Sequence, residues 1–335
     1  MNHRSSVLSF AQWVFLNLFT SSLATSCVTT STVTRAPETE ISAFHLDRLP
    51  FSYGVFDTEA TSESVEIQNT VPEIFSKYAD ISIDDGRKVR TYKVDIGQST
   101  IIHQMPPGPK RVVVTSGAEV KFNGSITGVY IKEIIFNVRA VRIEQTGPRI
   151  VIYGDSIAGG GNVNNPSAEA WPLLLRGDYS VIVDALGYRM LYDDASTPSQ
   201  RSEFASRISS LRPDIIWFAI GANDYALNQW SAEDFGEAYA ATLDALHATI
   251  PNVTLYAQSP ILRAEDGANS LGDDLEDFSR QIATACSTRH GWCIFVDGRG
   301  LTFPQPNELD RDGIHLTTKS SAKYAEAVLS IINNR

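Results

Sequence analysis

The chain has 335 residues, of which 43% are hydrophobic and 20% charged, a composition that builds a packed core and excludes a disordered or fibrous protein. Its length exceeds one ordinary small core and suits two domains. With 28 basic against 39 acidic residues, the net charge of -11 repels phosphate backbones and anionic lipid surfaces. No Lys/Arg cluster is dense enough to reverse this locally, so nucleic acid is excluded as a partner and a neutral polymer is favoured over a strongly acidic one.

Met1 to Arg4 carry one arginine and precede an apolar stretch from Val7 to Leu23, interrupted by Gln12 and Asn17 and ending in Ala24-Thr25-Ser26-Cys27. A short apolar run followed by small residues reads as an export signal over 1–26 that is cleaved, not kept as a membrane span. Cleavage before Cys27 leaves an N-terminal cysteine and loosely resembles the lipid-anchored end of bacterial lipoproteins. Leu23 stands one position further from Cys27 than that pattern prefers, and an ordinary signal with an incidental cysteine is the competing reading. The expectation is a secreted protein, or one held at a periplasmic or cell surface through lipid on Cys27. Residues 27–40 are Thr-rich with little apolar content and read as a tether.

From 41 to 145, apolar residues recur at period two in short runs at Tyr92 to Ile96, Arg111 to Val114, Glu119 to Phe122, Val129 to Ile131 and Ala140 to Ile143. Ser116-Gly117-Ala118 reads as a hairpin turn between Val114 and Val120. With no long amphipathic helix after Tyr78, this half is expected to be a β-sandwich or jelly roll.

The rhythm changes at Gln145-Thr146-Gly147-Pro148. Strand-like runs at Arg149 to Tyr153, Val181 to Val183, Asp214 to Ile220, Val253 to Ala257 and Cys293 to Val296 alternate with helical periods at Ala232 to Thr249, Leu275 to Ser287 and Thr318 to Ile332. Alternation of that kind predicts a parallel sheet with helices on both faces over 146–335. Near-continuous apolar strands such as Ile215-Ile216-Trp217-Phe218-Ala219-Ile220 fit a sheet covered on both sides. In such sheets ligands gather at the carboxyl edge of the strands.

Ser156 follows the first of these strands in Gly154-Asp155-Ser156-Ile157, where a hydroxyl suits a nucleophile if a base and oxyanion donors are near. Taken singly, the run fits a phosphate-cradling turn or a strand-to-helix cap as well. Asp312-Gly313-Ile314-His315 stands before the last helix; an Asp three residues ahead of a His can reach Nδ1, fix the tautomer and leave Nε2 for a serine. Alone, that run also reads as a turn and capped helix. Asn223, in Gly221-Ala222-Asn223-Asp224 after the strand ending at Ile220, offers an amide donor at the same edge. Gly187, in Asp184-Ala185-Leu186-Gly187-Tyr188-Arg189, lets a backbone N–H approach a substrate. His45, His103, His247 and His290 lack a comparable partner and read as structural or surface residues. Cys286 and Cys293 are spaced for a local disulfide in an oxidising compartment, adding about 2 kcal/mol, and have no further Cys or His at zinc-ligand spacing.

In chain order, these four blocks resemble the SGNH (GDSL-type) hydrolases over roughly Gly147 to Arg335. The resemblance implies a flavodoxin-like three-layer α/β/α domain with Ser156 as nucleophile and oxyanion donor, Asn223 as a second donor, His315 as general base and Asp312 as its orienting acid. In the second block Gly187 is taken as the backbone donor, although the Arg189 register places Tyr188 where the family glycine is expected. No Gly-x-Ser-x-Gly elbow is present, which argues against the α/β-hydrolases. A β-sandwich ahead of such a domain, with Ala170-Trp171-Pro172 and Ile220-Gly221-Ala222-Asn223-Asp224-Tyr225, is similar to the two-domain carbohydrate esterases of family 2, which remove acetyl groups from polysaccharides such as xylan.

That similarity implies acyl transfer to Ser156 from an acetylated carbohydrate, with no metal or cofactor and with activity falling in acid as His315 protonates. Two other readings stay open: a lipolytic or thioester-cleaving esterase for longer acyl chains, and a glycan-binding surface protein without activity. Among the tryptophans, Trp217 is expected in the core, and Trp171, Trp230 and Trp292 are candidates to line a sugar site.

Overall fold

The computed structural model describes residues 42–44, 53–58, 64–71, 80–94, 97–106, 108–117, 119–122, 125–127, 129–137, 139–265, 267–301 and 308–334, all within one compact unit. The export signal, Cys27, the tether and His45 lie outside the described residues. No helix among the described residues is long and apolar enough to cross a membrane.

The N-terminal half is built from two antiparallel sheets. One has four strands in the order Ser42–Phe44, Tyr130–Phe136, Ser64–Val71 and Gly97–Gln104; the other has five, ordered Ala140–Ile143, Tyr53–Thr58, Lys110–Ser116, Asp80–Asp84 and Val89–Lys93. Their facing sides interleave in one core: Val65, Ile67, Ile134 and Phe136 from the first meet Phe56, Ile81, Ile83, Val112 and Val114 from the second. Phe56 and Phe136 touch across it, with ring centroids 5.1 Å apart. His103 is buried here between the Tyr92 hydroxyl, 2.7 Å from Nδ1, and Asp85, 3.1 Å from Nε2.

Two sequence expectations fail in this half. The run Tyr92 to Ile96 is not one strand, because Val89–Lys93 ends inside it and the next strand starts at Gly97. Nor does Ser116-Gly117-Ala118 close a hairpin. After Ser116 the chain leaves the sandwich, and Glu119–Phe122 pairs in parallel with the second strand of the C-terminal sheet, Glu119 opposite Leu186 and Val120 opposite Gly187. Its antiparallel partner is Ser125–Thr127. Period-two alternation marks a strand but is blind to which sheet receives it.

The C-terminal half holds five parallel strands, numbered here β1 to β5 in chain order: Arg149–Gly154, Ser180–Gly187, Ile215–Ala219, Thr254–Gln258 and Cys293–Val296. Their spatial order is 2-1-3-4-5, with the 119–127 hairpin extending the β2 edge. Alternate side chains serve two cores, which explains the unbroken apolar runs. Val151, Tyr153, Ile216 and Phe218 face Phe204, Phe235, Tyr239 and Phe278 on one side; Ile150, Ile152 and Trp217 face Trp171, Tyr324 and Val328 on the other. Helices Pro198–Ser210, Ala232–Thr249 and Leu275–Ser287 cover the first side, and Thr318–Asn333 the second. Capping boxes open three of these four, through Thr197 with Gln200, Asp274 with Asp277 and Thr317 with Ser320. A disulfide joins Cys286 to Cys293, tying the end of the helix Leu275–Ser287 to the start of β5.

The sandwich grips the segment that follows β1. Buried Asp80 accepts the Ser167 N–H at 3.3 and 3.4 Å, and the Ser82 hydroxyl donates to the Ser167 carbonyl at 2.7 Å. Lys93 Nζ donates to the Asn164 carbonyl at 3.0 Å. Arg176 lies 3.9 Å over the Tyr53 ring and donates to Thr115 Oγ1 at 2.7 Å. The strands of the sandwich thus brace the loop that carries Ser156.

Candidate active site

β1, β2 and β3 end at one edge, and each is followed by one of the predicted residues. β1 runs into Asp155-Ser156, whose turn is closed by the Gly159 N–H donating to Asp155 O at 2.9 Å and the Gly161 N–H donating to Ser156 O at 2.7 Å. Asp155 is buried and its Oδ1 accepts the Ile157 N–H at 2.9 Å. Burial raises its carboxyl above the usual range, opposed by the Ile157 N–H and by the charges of His315 and Arg263.

His315 arrives from the segment before the last helix. The Ser156 hydroxyl lies 2.8 Å from His315 Nε2, and His315 Nδ1 lies 2.6 Å from Asp312 Oδ2. Asp312 Oδ1 accepts the N–H groups of Ile314 at 2.9 Å and His315 at 3.0 Å, folding the Asp-Gly-Ile-His run around its own carboxylate. Partial burial works to raise the Asp312 carboxyl, but the hydrogen bonds from the His315 N–H, the His315 ring and the Ile314 N–H outweigh it and hold the group down at about 2. A carboxylate ionised at every ordinary pH keeps the proton on Nδ1, so Nε2 presents its lone pair to the serine hydroxyl.

Two residues that support this pair were missed by sequence reasoning. Asn162 adopts a left-handed φ of 65° and donates from Nδ2 to Asp312 Oδ2 at 2.6 Å, bridging the serine loop to the acid. Asparagine is enriched in that backbone region, so the signal was present but generic. Gly161 lies under the imidazole: a Cβ there would stand 2.4 Å from His315 Cδ2 and 2.8 Å from Nε2. Gly161→Ala is therefore expected to displace the ring from Ser156 and lower kcat about a hundredfold while leaving the fold intact, read by ester hydrolysis beside a melting curve.

Asn223 follows β3 in the short helix Ala222–Leu227 and donates from Nδ2 to the Arg189 carbonyl at 3.0 Å. That contact uses one amide hydrogen and leaves the second for a substrate oxygen. Neighbouring Asp224 is fully buried and accepts the N–H groups of Leu191 at 2.9 Å and Tyr192 at 3.1 Å, tying this helix to the segment after β2.

The second block departs from the choice of Gly187 as the glycine-like position. Gly187 is the last residue of β2, buried and paired with Val120. Left-handed backbone falls on Tyr188, with φ 63°, in a turn closed by the Arg189 N–H donating to Leu186 O at 3.1 Å. An L side chain rarely adopts that conformation. The next residue, Arg189, is buried: its guanidinium pairs with Asp184 at 2.9 Å and lies 4.6 Å over the Tyr153 ring, while Arg207 pairs with the same Asp184. Burial pushes the Asp184 carboxyl up, but the two guanidinium charges outweigh it and bring the carboxyl below its usual range.

Buried carboxylates set a pH dependence of stability. Burial raises Asp224 to about 7 and Asp80 to about 6. Each therefore binds its proton more tightly folded than unfolded, so its stabilising effect is complete below the unfolded value near 3.8 and is lost as pH rises through the folded value. Asp184 and Asp312, lowered on folding, change nothing until the pH drops below that range. The melting temperature is expected to rise by several degrees from pH 8 to pH 5, and Asp80→Asn with Asp224→Asn to flatten the slope. A flat wild-type profile would contradict it.

Of the tryptophans, Trp171 and Trp217 are core residues, and Trp292 stacks on His247 at 4.1 Å. Trp230 meets Tyr192 edge-on at 4.9 Å, near the Asn223 helix. Among the described residues, no group of three or more His, Cys, Asp and Glu is arranged to hold a metal ion.

Comparison with known proteins places this architecture. Three of the similar solved structures are a salicylyl-acyltransferase from a tetracycline biosynthetic pathway, a family two carbohydrate esterase from Cellvibrio japonicus and an acetyl xylan esterase from Butyrivibrio proteoclasticus. Against the first the TM-score is 0.67 at 15% identity, covering 84% of this chain and 82% of the other. Against the second it is 0.63 at 15% identity, covering 91% and 98%, and against the third 0.60 at 13%, covering 91% and 98%. At such identities the likeness establishes the fold, an SGNH α/β domain preceded by an antiparallel β region. No curated protein matches the sequence. Residues 152–322, over half of the chain and including Ser156, Asn223, Asp312 and His315, match one family throughout, and the chain belongs to the GDSL-like lipase/acylhydrolase family.

Proposed function

We propose that the protein is a serine esterase that removes O-acetyl groups from a polysaccharide or oligosaccharide of the xylan kind, acting outside the cytoplasm. The observation that carries the chemistry is the continuous line from Ser156 Oγ through His315 Nε2, at 2.8 Å, to Asp312, at 2.6 Å from Nδ1. His315 takes the serine proton as Oγ attacks the ester carbonyl. The oxyanion rests on the Ser156 N–H, the Asn223 amide and a backbone N–H of the Gly187-Tyr188 turn. The imidazolium returns its proton to the departing alcohol, and water, deprotonated by the same ring, releases the acid.

The short acyl group is supported by similarity to an acetyl xylan esterase. The carbohydrate substrate is supported by similarity to the family two esterases and by a net charge that disfavours anionic lipid. A cysteine pair bonded in the structure suits an exported chain.

Acetate release from a panel of acetylated glycans, together with p-nitrophenyl esters of increasing chain length, tests the reading. An acetyl optimum with release from acetylated xylan is the expected result. Activity that persists or grows on long acyl chains would transfer the assignment to lipid, and binding to glycan with no hydrolysis of any ester would leave a binding protein.

A further inference from the structure

A groove of about 450 Å³ lies beside the triad, between the end of the Asn223 helix and the Asp312 loop. Tyr225, Arg263, Glu265 and Arg311 are among the residues that line it. The walls are fastened together where the Ala264 N–H donates to the Gly313 carbonyl at 2.8 Å. The space at Gly313, with φ 68°, admits no Cβ, which would stand 2.6 Å from that of Ala264. The groove is thus a built feature of the loop that holds the triad acid, and its size is that of a site for a sugar ring.

Arg263 and Arg311 make no ion pair among the described residues; the Arg263 guanidinium lies 5.8 Å over the Tyr225 ring. Two arginines without an ion pair among the described residues thus line one groove of a chain with eleven more acidic than basic groups. Guanidinium is the side chain suited to planar, bidentate recognition of a carboxylate. The two carboxylates nearby limit what can enter. Asp312 has its oxygens committed to His315, Ile314 and Asn162, and exposed Glu265 adds a second negative charge that repels multiply charged groups.

We propose that this groove binds a singly charged, carboxylate-bearing sugar of the substrate, a uronic acid residue next to the acetylated one, through Arg263 and Arg311. The proposal rests on the saccharide esterase reading given above and deepens it: the protein's overall charge disfavours a polyanion, whereas one isolated carboxylate on a neutral chain meets two waiting guanidinium groups. The groove is lined by Asp312 and by Tyr225 and Ala226 of the helix that carries Asn223, so an occupant would hold the adjoining sugar at Ser156.

Two measurements test it. In the first, kcat/KM is compared between acetylated xylo-oligosaccharides with and without a glucuronic acid branch. The wild type is expected to favour the branched substrate, and the ratio to fall about tenfold in Arg263→Gln and in Arg311→Gln, mainly through KM. The wild-type preference is also expected to shrink as salt rises, which reads the charge contact without any variant. The second measurement is equilibrium titration of the full-length Ser156→Ala protein with methyl glucuronoside and methyl glucoside, where only the acid is expected to bind through the groove. Equal kcat/KM values for the two substrates, a ratio unchanged by both substitutions, or equal titration by the two glycosides would overturn the proposal while leaving deacetylation intact. If neither oligosaccharide is deacetylated but p-nitrophenyl acetate is cleaved, the saccharide reading fails, and the titration still decides the groove separately.

Discussion

Ser156→Ala is expected to lower kcat on a short acyl p-nitrophenyl ester by roughly four to six orders of magnitude, with the melting temperature unchanged. In the proposed mechanism the hydroxyl is the atom that forms the new bond, and it stands 2.8 Å from His315 Nε2. His315→Ala is expected to cost about as much, and the double variant about as much as either alone, because the two act as one unit and removing either already disables it. Asp312→Ala should cost less than either, since the carboxylate never meets the substrate; it fixes the ring through Nδ1 at 2.6 Å. Its carboxyl titrates at about 2, so the acid limb of the pH profile is not set by Asp312. Wild-type rates in Ser156→Ala would end the acyl-transfer mechanism.

The largest effect on stability is expected at Arg189. The residue is 7% exposed and is the more buried of the two arginines that pair with Asp184, itself 4% exposed. Arg189→Met keeps much of the volume but leaves the buried carboxylate with Arg207 alone, and a buried pair broken from one side costs about 3 to 5 kcal/mol. Denaturant unfolding is the measurement. Removing the charge on both sides, as Arg189→Met with Asp184→Leu, is expected to recover part of the loss, because no unpaired carboxylate then remains. Activity should fall further than stability alone explains. The Arg189 backbone carbonyl holds the Asn223 amide at 3.0 Å, and Arg189 directly follows the left-handed Tyr188. A single variant within about 0.5 kcal/mol of wild type would show that the pair carries no such role.

Helix limits were legible in the C-terminal half because apolar period and cap coincide. Ala232–Thr249 and Leu275–Ser287 start after Ser231 and Asp274 and appear with the boundaries their periodicity predicts. β5 likewise spans Cys293–Val296 as read. In the N-terminal half the strands at Tyr53–Thr58, Ser64–Val71 and Asp80–Asp84 escaped notice. Their alternation is broken by buried polar residues such as Asn69 and Asp80, whose side-chain oxygens accept hydrogen bonds from Ser99 and Ser167.

The candidate triad could be named because Asp312-Gly313-Ile314-His315 is a local structure: three residues suffice to bring carboxylate and imidazole together. Ser156 and Asn223 could be placed at one edge because each ends a parallel strand. The sequence by itself therefore determined the fold class and the candidate reacting groups. Only the tertiary structure decided how they are held. Asn162 reaches Asp312 across 150 residues, and Asp224 reaches Leu191 across 33. The left-handed turn falls on Tyr188, and the strand after Ser116 joins the edge of the other sheet. These are consequences of burial and long-range pairing, whose energies depend on which surfaces meet, and a local pattern of residues does not record that.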